Sequence, residues 1–267
     1  MSRVVDHPLA VPRYACSPRE VVRAGALWRL VQEAAVLDST VCAWPPSRYR
    51  AEGTSFIVRA LHGVHHRELS WGEPVVGRTW IEATQRDIIF DRRTDILVTH
   101  DTHCSPVLST EVRWIFVSAG RPSRAPAALL DNFGSHAGPP LPRPEPGDAG
   151  HEPLAEWSMT PAFTDMDPLG HSNHPRYLDW ADELISRWLH RAGVDPAGLI
   201  PRVDRVDYRV GAVATDTVTL TLTRVAALSA GGRFQIRFVR QDGVLLAQAE
   251  LDREHTTVHL GTLTGPS

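Results

Sequence analysis

The sequence predicts an α+β protein made of two units in tandem, each a long helix packed against an antiparallel sheet. Two observations lead to this. The Pro- and Gly-rich segment 134–156 cannot maintain a helix or a central strand, and it divides the chain into parts of similar length. On each side of it the same order recurs: a short strand, one long helix and four strand-like runs. We expect an N-terminal unit at 1–133, a linker at 134–156 and a C-terminal unit at 157–267.

In the first unit, the spacing of apolar residues predicts a helix over 17–39, with Ser17 as its N-cap in front of Pro18. The apolar stripe of this helix consists of Val21, Ala24, Leu27, Leu30, Val31, Ala34 and Ala35. Runs rich in branched and aromatic residues follow and predict the strands "TSFIVRALHGV", "VVGRTWIEAT", "RTDILVTH" and "STEVRWIFVS".

In the second unit, the same spacing predicts a helix over 174–192 that begins at about Asn173 or His174, because Pro175 fits a first helical turn. Its outer face is expected to carry solvated charges, namely Arg176, Asp179, Asp182, Glu183 and Arg187. The predicted strands are "RVDRVDYRV", "TDTVTLTLTRVA", "RFQIRFVR" and "VLLAQAELD".

Composition excludes several classes of function. A formal net charge of -3 and a sequence pI near 6.5 give no basic surface for nucleic acid or anionic lipid. All 28 Lys and Arg positions are arginine, so Schiff-base and phosphate-loop lysines are absent. Three cysteines at unrelated spacings suit a reducing cytoplasm, and no apolar run is long enough to span a bilayer. We expect a cytoplasmic protein without membrane or nucleic-acid partners.

The segment "TDMDPLGHSNHPRY" at 164–177 suggests a chemistry. Asp167 lies on a loop shortened by Pro168 and Gly170, just before the amides of a helix N-terminus, which carry the positive end of the helix dipole. Such amides can hold a carbonyl oxygen as it becomes an oxyanion, while the carboxylate activates water or attacks the carbonyl carbon. A thioester needs little further help, because a thiolate leaves readily. The same residues also suit a simple capping and turn role.

The segment "FTDMDPLGHSNHPRYLDWADE" resembles the signature of hotdog-fold thioesterases, an Asp-x-Asp-x-x-Gly loop leading into a long central helix. The resemblance to 4-hydroxybenzoyl-CoA thioesterases implies that Asp167 is the catalytic carboxylate and that the backbone amide of His174 polarises the thioester carbonyl. Over most of its length the chain resembles the plant and bacterial acyl-ACP thioesterases, which are two hotdog units in tandem. The implied fold is a double hotdog.

In the acyl-ACP thioesterases the second unit carries an Asp, an Asn two residues on, a His four residues on and a Glu on the next strand. Asp167 and His171 match this pattern. Leu169 stands in place of the Asn, and Asp207 in place of the Glu. The resemblance implies that His171 and Asp207 position water or Asp167, and that Asn173 shapes the turn.

The first unit has "ACSPREV" at the position of the loop, without Asp-x-Asp or Gly-His, so we expect one active site per chain. The first unit would then contribute the wall of an acyl pocket. Strand residues that suit either this wall or a plain core are Phe56, Val58, Trp80, Ile81 and Trp114.

The favoured hypothesis is an acyl-thioesterase that acts on an acyl carrier protein or coenzyme A thioester of a fatty or polyketide acid, without a metal or other cofactor. Two alternatives stay open: a hotdog hydratase or dehydratase of enoyl or 3-hydroxyacyl thioesters, and a non-catalytic acyl-chain binder. The histidines in "HGVHHRE" and "HDTHC" have spacings that favour no zinc site. The oligomeric state is open, with a homodimer compatible with the sequence.

Overall fold

The computed structural model describes residues 3–100, 103–143 and 152–263. The chain divides into two compact units. The first comprises residues up to 16 together with 20–142, and the second comprises 17–19 together with the chain from 143 onward. The division lies within the proposed linker 134–156, of which residues 144–151 lie outside the described residues. A strand begins at Ala155, so the linker is shorter at its C-terminal end than the sequence predicts.

The first unit contains an antiparallel sheet with the spatial order β1-β3-β4-β5-β2, with β6 paired to β5. Its strands are β1 (Val5–Leu9), β2 (Thr54–His65), β3 (Val75–Gln85), β4 (Ile89–His100), β5 (His103–Ser118) and β6 (Arg121–Pro122). Its helices are α1 (Ala24–Val41), α2 (Pro46–Ala51) and α3 (Ala127–Phe133).

Helix α1 packs closely on this sheet. Trp28 is fully buried, and a Cβ atom on Gly63 of β2 would lie 2.6 Å from its ring, so only glycine lets the helix approach this strand. The predicted helix start at Ser17 is wrong. Residues 17–23 form a loop instead, and α1 begins at Ala24 after Arg23, since residues 21 and 22 make β-bridges rather than helical hydrogen bonds.

The second unit repeats the arrangement with one helix and five strands in the order β8-β11-β10-β9-β7, all antiparallel. The strands are β7 (Ala155–Met159), β8 (Leu199–Tyr208), β9 (Val218–Ala227), β10 (Gly231–Arg240) and β11 (Leu245–His255). The helix is α4 (Arg176–Arg191). It begins two residues later than the helix predicted over 174–192.

A buried ion cluster ties α4 to the sheet of the second unit. Arg253 of β11 has no exposed side-chain surface, and its guanidinium lies 2.9 Å from Asp182 of α4 and 2.8 Å from the fully buried Asp204 of β8. Burial alone would lower the pKa of Arg253, but the two carboxylates outweigh it and raise that pKa. Asp182 therefore does not belong to the solvated outer face on which the sequence places it.

Candidate functional site

The segment 165–173 folds as a small hairpin in front of α4. The backbone N–H of Asn173 donates to the carbonyl of Asp165 at 2.9 Å, and the N–H of Asp167 donates to the carbonyl of His171 at 2.8 Å. Between them Met166 and Ser172 form an antiparallel bridge. Residues that face each other across such a pair project side chains on the same side. The hairpin therefore brings Asp167 and His171 together.

The tip of the hairpin holds the Asp167 carboxylate in a fixed orientation. Gly170 has φ +81°, a conformation that favours glycine, and its N–H donates to the Asp167 carbonyl at 3.0 Å. Oδ1 of Asp167 accepts a hydrogen bond from the Leu169 N–H at 2.8 Å. One carboxylate oxygen is thus used by the turn, and Oδ2 is left for chemistry.

Oδ2 of Asp167 lies 3.4 Å from Nδ1 of His171. The Asp167 side chain is 14% exposed and that of His171 is 35% exposed. The carboxylate is therefore shielded from bulk water without being sealed off, and the imidazole beside it is more exposed. A carboxylate in this setting can accept a proton or attack an electrophile.

Residues 174 and 175 form a tight turn before the helix. The N–H of Arg176 donates to the Asn173 carbonyl at 2.9 Å, and the N–H of Tyr177 donates to the His174 carbonyl at 3.4 Å. The amides of Arg176 and Tyr177, at the start of the helix, are therefore engaged by the turn. The role of the His174 amide in binding an oxyanion stays a prediction.

Two buried tyrosines make hydrogen bonds around this turn. The hydroxyl of Tyr208, at the end of β8, donates to the His174 carbonyl at 2.8 Å, and the Tyr177 hydroxyl accepts from the Ala212 N–H at 2.9 Å. Burial raises the pKa of Tyr177 to about 12 and raises that of Tyr208 well above its usual value. Both hydroxyls are therefore protonated at neutral pH, as these hydrogen bonds require of Tyr208.

The first aspartate of the Asp-x-Asp motif, Asp165, has a structural role that the sequence analysis missed. Its side chain is nearly buried, accepts from the Ala162 N–H at 3.1 Å and lies 2.9 Å from the Arg176 guanidinium, which also contacts Asp179 at 3.2 Å. Arg176 and Asp179 are thus paired rather than simply solvated. The sequence signal for this role was the spacing of two aspartates in one short loop.

Asn173 lies in the C-terminal strand of the hairpin, where its backbone helps to set the turn. Asp207 is placed differently. It is exposed on β8 between the buried Val206 and Tyr208, and since side chains alternate along a strand, it projects to the opposite face from Tyr208. The structure brings Asp167, His171, Asn173 and His174 into one loop and turn, but does not bring Asp207 to that face.

The strand residues proposed as an acyl-pocket wall lie in the first unit. Phe56 packs edge-on against Phe90 at 5.0 Å and Phe116 at 5.2 Å between ring centroids. Trp114 and Ile81 belong to the same cluster. Trp80 is buried on the other face of β3 beside His136, and Val58 is half-buried. Trp80 and Ile81 are buried, whereas Phe56, Val58 and Trp114 are partly buried, and the role of all five as a pocket wall stays a prediction.

Residues 13–23, of which 17–19 are grouped with the second unit, form a loop with the same backbone pattern as 163–173, at a spacing of 150 residues. The N–H of Arg23 donates to the Ala15 carbonyl at 3.1 Å, as Asn173 does to Asp165, and a bridge joins Cys16 to Val22. At its tip Glu20 has φ +62°, in the position of Gly170.

The side chains of this first loop differ. Ser17 stands at the position of Asp167, and its Oγ accepts from the Arg19 N–H at 3.2 Å, as Asp167 accepts from Leu169. Val21 stands at the position of His171. The backbone of the loop is therefore duplicated, while the carboxylate and the imidazole occur in the second copy only.

The histidines of "HGVHHRE" make ordinary polar contacts: Nε2 of His62 lies 2.9 Å from the Pro142 carbonyl, and Nε2 of His66 lies 3.0 Å from Oγ of Ser109. The side chains of His100 and His103 lie outside the described residues. Among the residues described, no three or more His, Cys, Asp or Glu side chains are grouped so that they could hold a metal ion.

Comparison with known proteins finds a family model that matches part of the chain and solved structures with a similar fold. Residues 161–263 match the model of the thioesterase-like superfamily. Solved structures share the fold over nearly the whole chain. An acyl-ACP thioesterase from Bacteroides thetaiotaomicron has a TM-score of 0.75 at 12% identity, covering 94% of this chain and 98% of its own. The 12:0-ACP thioesterase from Umbellularia californica has a TM-score of 0.71 at 15% identity, covering 95% and 98%.

The chain is a double-hotdog protein. A provisionally assigned oleoyl thioesterase from Lactobacillus plantarum has a TM-score of 0.76 at 16% identity, covering 100% of this chain and 98% of its own. None of the curated proteins compared with the chain matches its sequence. The family resemblance inferred from the loop motif is confirmed, and so is the α+β class.

Residues 161–263, which match the superfamily model, include the hairpin that carries Asp167 and His171. Of the helices in the described part of the chain, none has both the length and the apolar character needed to cross a bilayer.

Proposed function

We propose that this chain is an acyl-thioesterase that hydrolyses an acyl-ACP or acyl-CoA thioester, of a fatty or polyketide acid, to the free acid. The observation that carries the proposal is the shielded Asp167 carboxylate, with one oxygen fixed by the turn and the other beside His171, directly before a helix. The superfamily match over the same segment supports it.

In the proposed reaction the thioester carbonyl carbon lies beside Oδ2 of Asp167, and its oxygen accepts a hydrogen bond from the His174 amide, aided by the dipole of α4. Water attacks the carbonyl carbon and gives a proton to Oδ2. The tetrahedral intermediate then expels the thiolate, which takes up that proton, so the products are a carboxylic acid and a thiol. His171 keeps the carboxylate oriented.

A second route gives the same products, but in it Oδ2 of Asp167 attacks the carbonyl carbon itself. The thiolate leaves, an anhydride between Asp167 and the acyl group forms, and water hydrolyses it. Single-turnover hydrolysis in ¹⁸O-labelled water separates the two routes. If water attacks the anhydride at the aspartyl carbon, one ¹⁸O atom enters the enzyme, whereas the direct route places the label only in the released acid.

The experiment that tests the function is a panel of acyl-CoA and acyl-pantetheine thioesters with chains of different length, branching and aromatic character, assayed for thiol release. We expect enzyme-dependent thiol release with at least one member. A change in enoyl absorbance without thiol release would instead favour a hydratase or dehydratase. Tight binding without either signal over hours would favour an acyl-chain binder.

A further inference from the structure

The His171 side chain lies against a glycine outside the loop motif. Gly211 follows β8, and a Cβ atom built on it would lie 2.8 Å from both Cβ and Cγ of His171 and 3.1 Å from Cδ2. Contacts below 3.0 Å are not tolerated, so any other residue at 211 requires either the backbone or the imidazole to move.

The backbone around Gly211 is held on both sides. The N–H groups of Arg209 and Val210 both donate to the Leu246 carbonyl of β11, at 2.7 and 3.1 Å. The carbonyl of Ala212 accepts from the Ser172 N–H at 2.7 Å, and its N–H donates to the Tyr177 hydroxyl at 2.9 Å. Segment 209–212 therefore cannot withdraw without breaking these bonds.

The backbone of His171 is held equally well, since its carbonyl accepts from the Asp167 N–H and the next residue is bonded to Ala212. Rotation of the imidazole moves Cγ and Cδ2 away from a side chain at 211, whereas the contact with Cβ of His171 is relieved only by a small shift of one of the two backbones. Nδ1 lies 3.4 Å from the Asp167 carboxylate at present, and the rotation would change that distance.

The first unit provides an internal comparison. There the N–H of Val22 donates to the Leu69 carbonyl at 2.8 Å, as that of Ser172 donates to the Ala212 carbonyl. The residue before Leu69 is Glu68, which has a full side chain, and the loop residue at the position of His171 is Val21. Glycine occurs in the copy that has the histidine.

We propose that Gly211 is a positioning residue, whose missing side chain makes room for the His171 imidazole beside Asp167. The kinetic part of this proposal rests on the proposed thioesterase function. Gly211 does not have a positive φ, so alanine is compatible with its backbone and Gly211→Ala tests the space alone.

The kinetic test compares Gly211→Ala with His171→Ala and with the double variant. We expect kcat to fall about 10- to 100-fold in Gly211→Ala with KM nearly unchanged, because a displaced group close to the reacting atoms costs rate rather than binding. The double variant should be no slower than His171→Ala, since both changes remove the same group. Wild-type kinetics in Gly211→Ala, or losses that multiply in the double variant, would overturn the proposal.

The matched control is Gly232→Ala on β10, where the added methyl would lie 2.9 Å from the Phe234 ring, away from the loop. It should show a comparable decrease in melting temperature and unchanged kcat. An equal loss of kcat in this control would mean that general destabilisation explains the effect.

A second measurement needs no substrate. In ¹⁵N-detected spectra, the ring signals of His171, assigned from His171→Asn, should shift in Gly211→Ala, while those of His255 and His259 stay in place. Unchanged His171 signals would refute the proposal even if no thioester were turned over. Lack of turnover by the wild type, with shifted signals, would count against the proposed function alone.

Discussion

At the scale of single residues, the site depends on hydrogen bonds to atoms that the sequence does not mark. The motif spacing predicts that Asp167 and His171 lie near each other, and the hairpin supplies the reason. The motif spacing could not predict the contacts of Tyr208 and Gly211 with the loop and turn. Both residues lie more than thirty residues further along the chain and approach this region only through tertiary packing. The sequence predicted Asp207 as a site residue. Asp207 is the neighbour of Tyr208 on β8, and because side chains alternate along the strand, it projects to the opposite face.

Tyr208→Phe tests the support of the turn before α4. The variant keeps the ring contact with His174 but removes the donor to its carbonyl. We expect a loss of about 1 kcal/mol of unfolding free energy and a kcat about tenfold lower, as the turn that carries the His174 amide loosens.

The control for Tyr208→Phe is Tyr49→Phe in the first unit, which loses a hydroxyl contact of 2.8 Å with Ser39. Urea unfolding and thiol-release kinetics are measured for both variants. We expect both variants to lose similar stability, and only Tyr208→Phe to show a lower kcat. An unchanged kcat in Tyr208→Phe would argue against a role for the turn in catalysis.

At the scale of elements, the helices and strands follow from apolar periodicity, but their ends and their buried charges do not. Both long helices begin later than predicted, because residues 21 and 22 make β-bridges before α1 and residues 174 and 175 form a turn before α4. The amphipathic pattern assigned Asp182 to solvent, whereas the structure pairs it with an arginine on a strand seventy-one residues away in sequence. Short helices such as α2 and α3 carry too few turns for a periodic signal.

Arg253→Met tests the buried cluster that joins α4 to β8 and β11. Removing the cation leaves Asp182 and Asp204 facing each other without compensation, so we expect a loss of about 3–5 kcal/mol in unfolding free energy. Arg202→Met is the control, because its pair with Glu254 is partly exposed and should contribute at most about 1 kcal/mol. Similar losses in chemical denaturation of both variants would contradict this interpretation.

His7 gives the first unit a predictable response to pH. It is buried on β1 with Nε2 4.0 Å from Asp38 of α1, and burial lowers its pKa below 6.5, although the Asp38 carboxylate acts in the opposite direction. Below about pH 6.5 the unfolded chain therefore binds a proton that the folded chain resists. His7 thus favours folding less as the pH falls through 6.5 toward its folded pKa.

The measurement is the unfolding free energy between pH 8 and pH 5 for the wild type and His7→Gln. The variant should lose less stability than the wild type as the pH falls, whereas the exposed His259→Gln should follow the wild type. A steeper loss of unfolding free energy in His7→Gln than in the wild type would contradict the lowered pKa of His7.

At the scale of the whole molecule, the two units share a loop backbone and differ in the chemistry placed on it. The tandem arrangement was predictable because the order of elements recurs on both sides of the segment 134–156. The shared loop backbone was not predictable, because Ser17 and Glu20 differ in residue type from Asp167 and Gly170 at the equivalent positions. Several hydrogen bonds that both loops make at equivalent positions show the relation.

The central claim is that all hydrolysis by this chain depends on the single carboxylate of Asp167, and Asp167→Asn tests it most directly. Asparagine keeps the acceptor for the Leu169 N–H, so the hairpin and the melting temperature should change little. The control is Asp242→Asn in an exposed turn. With the best thioester of the panel, we expect thiol release by Asp167→Asn to fall at least about 100-fold while the control matches the wild type. Turnover retained by a folded Asp167→Asn protein would contradict the account.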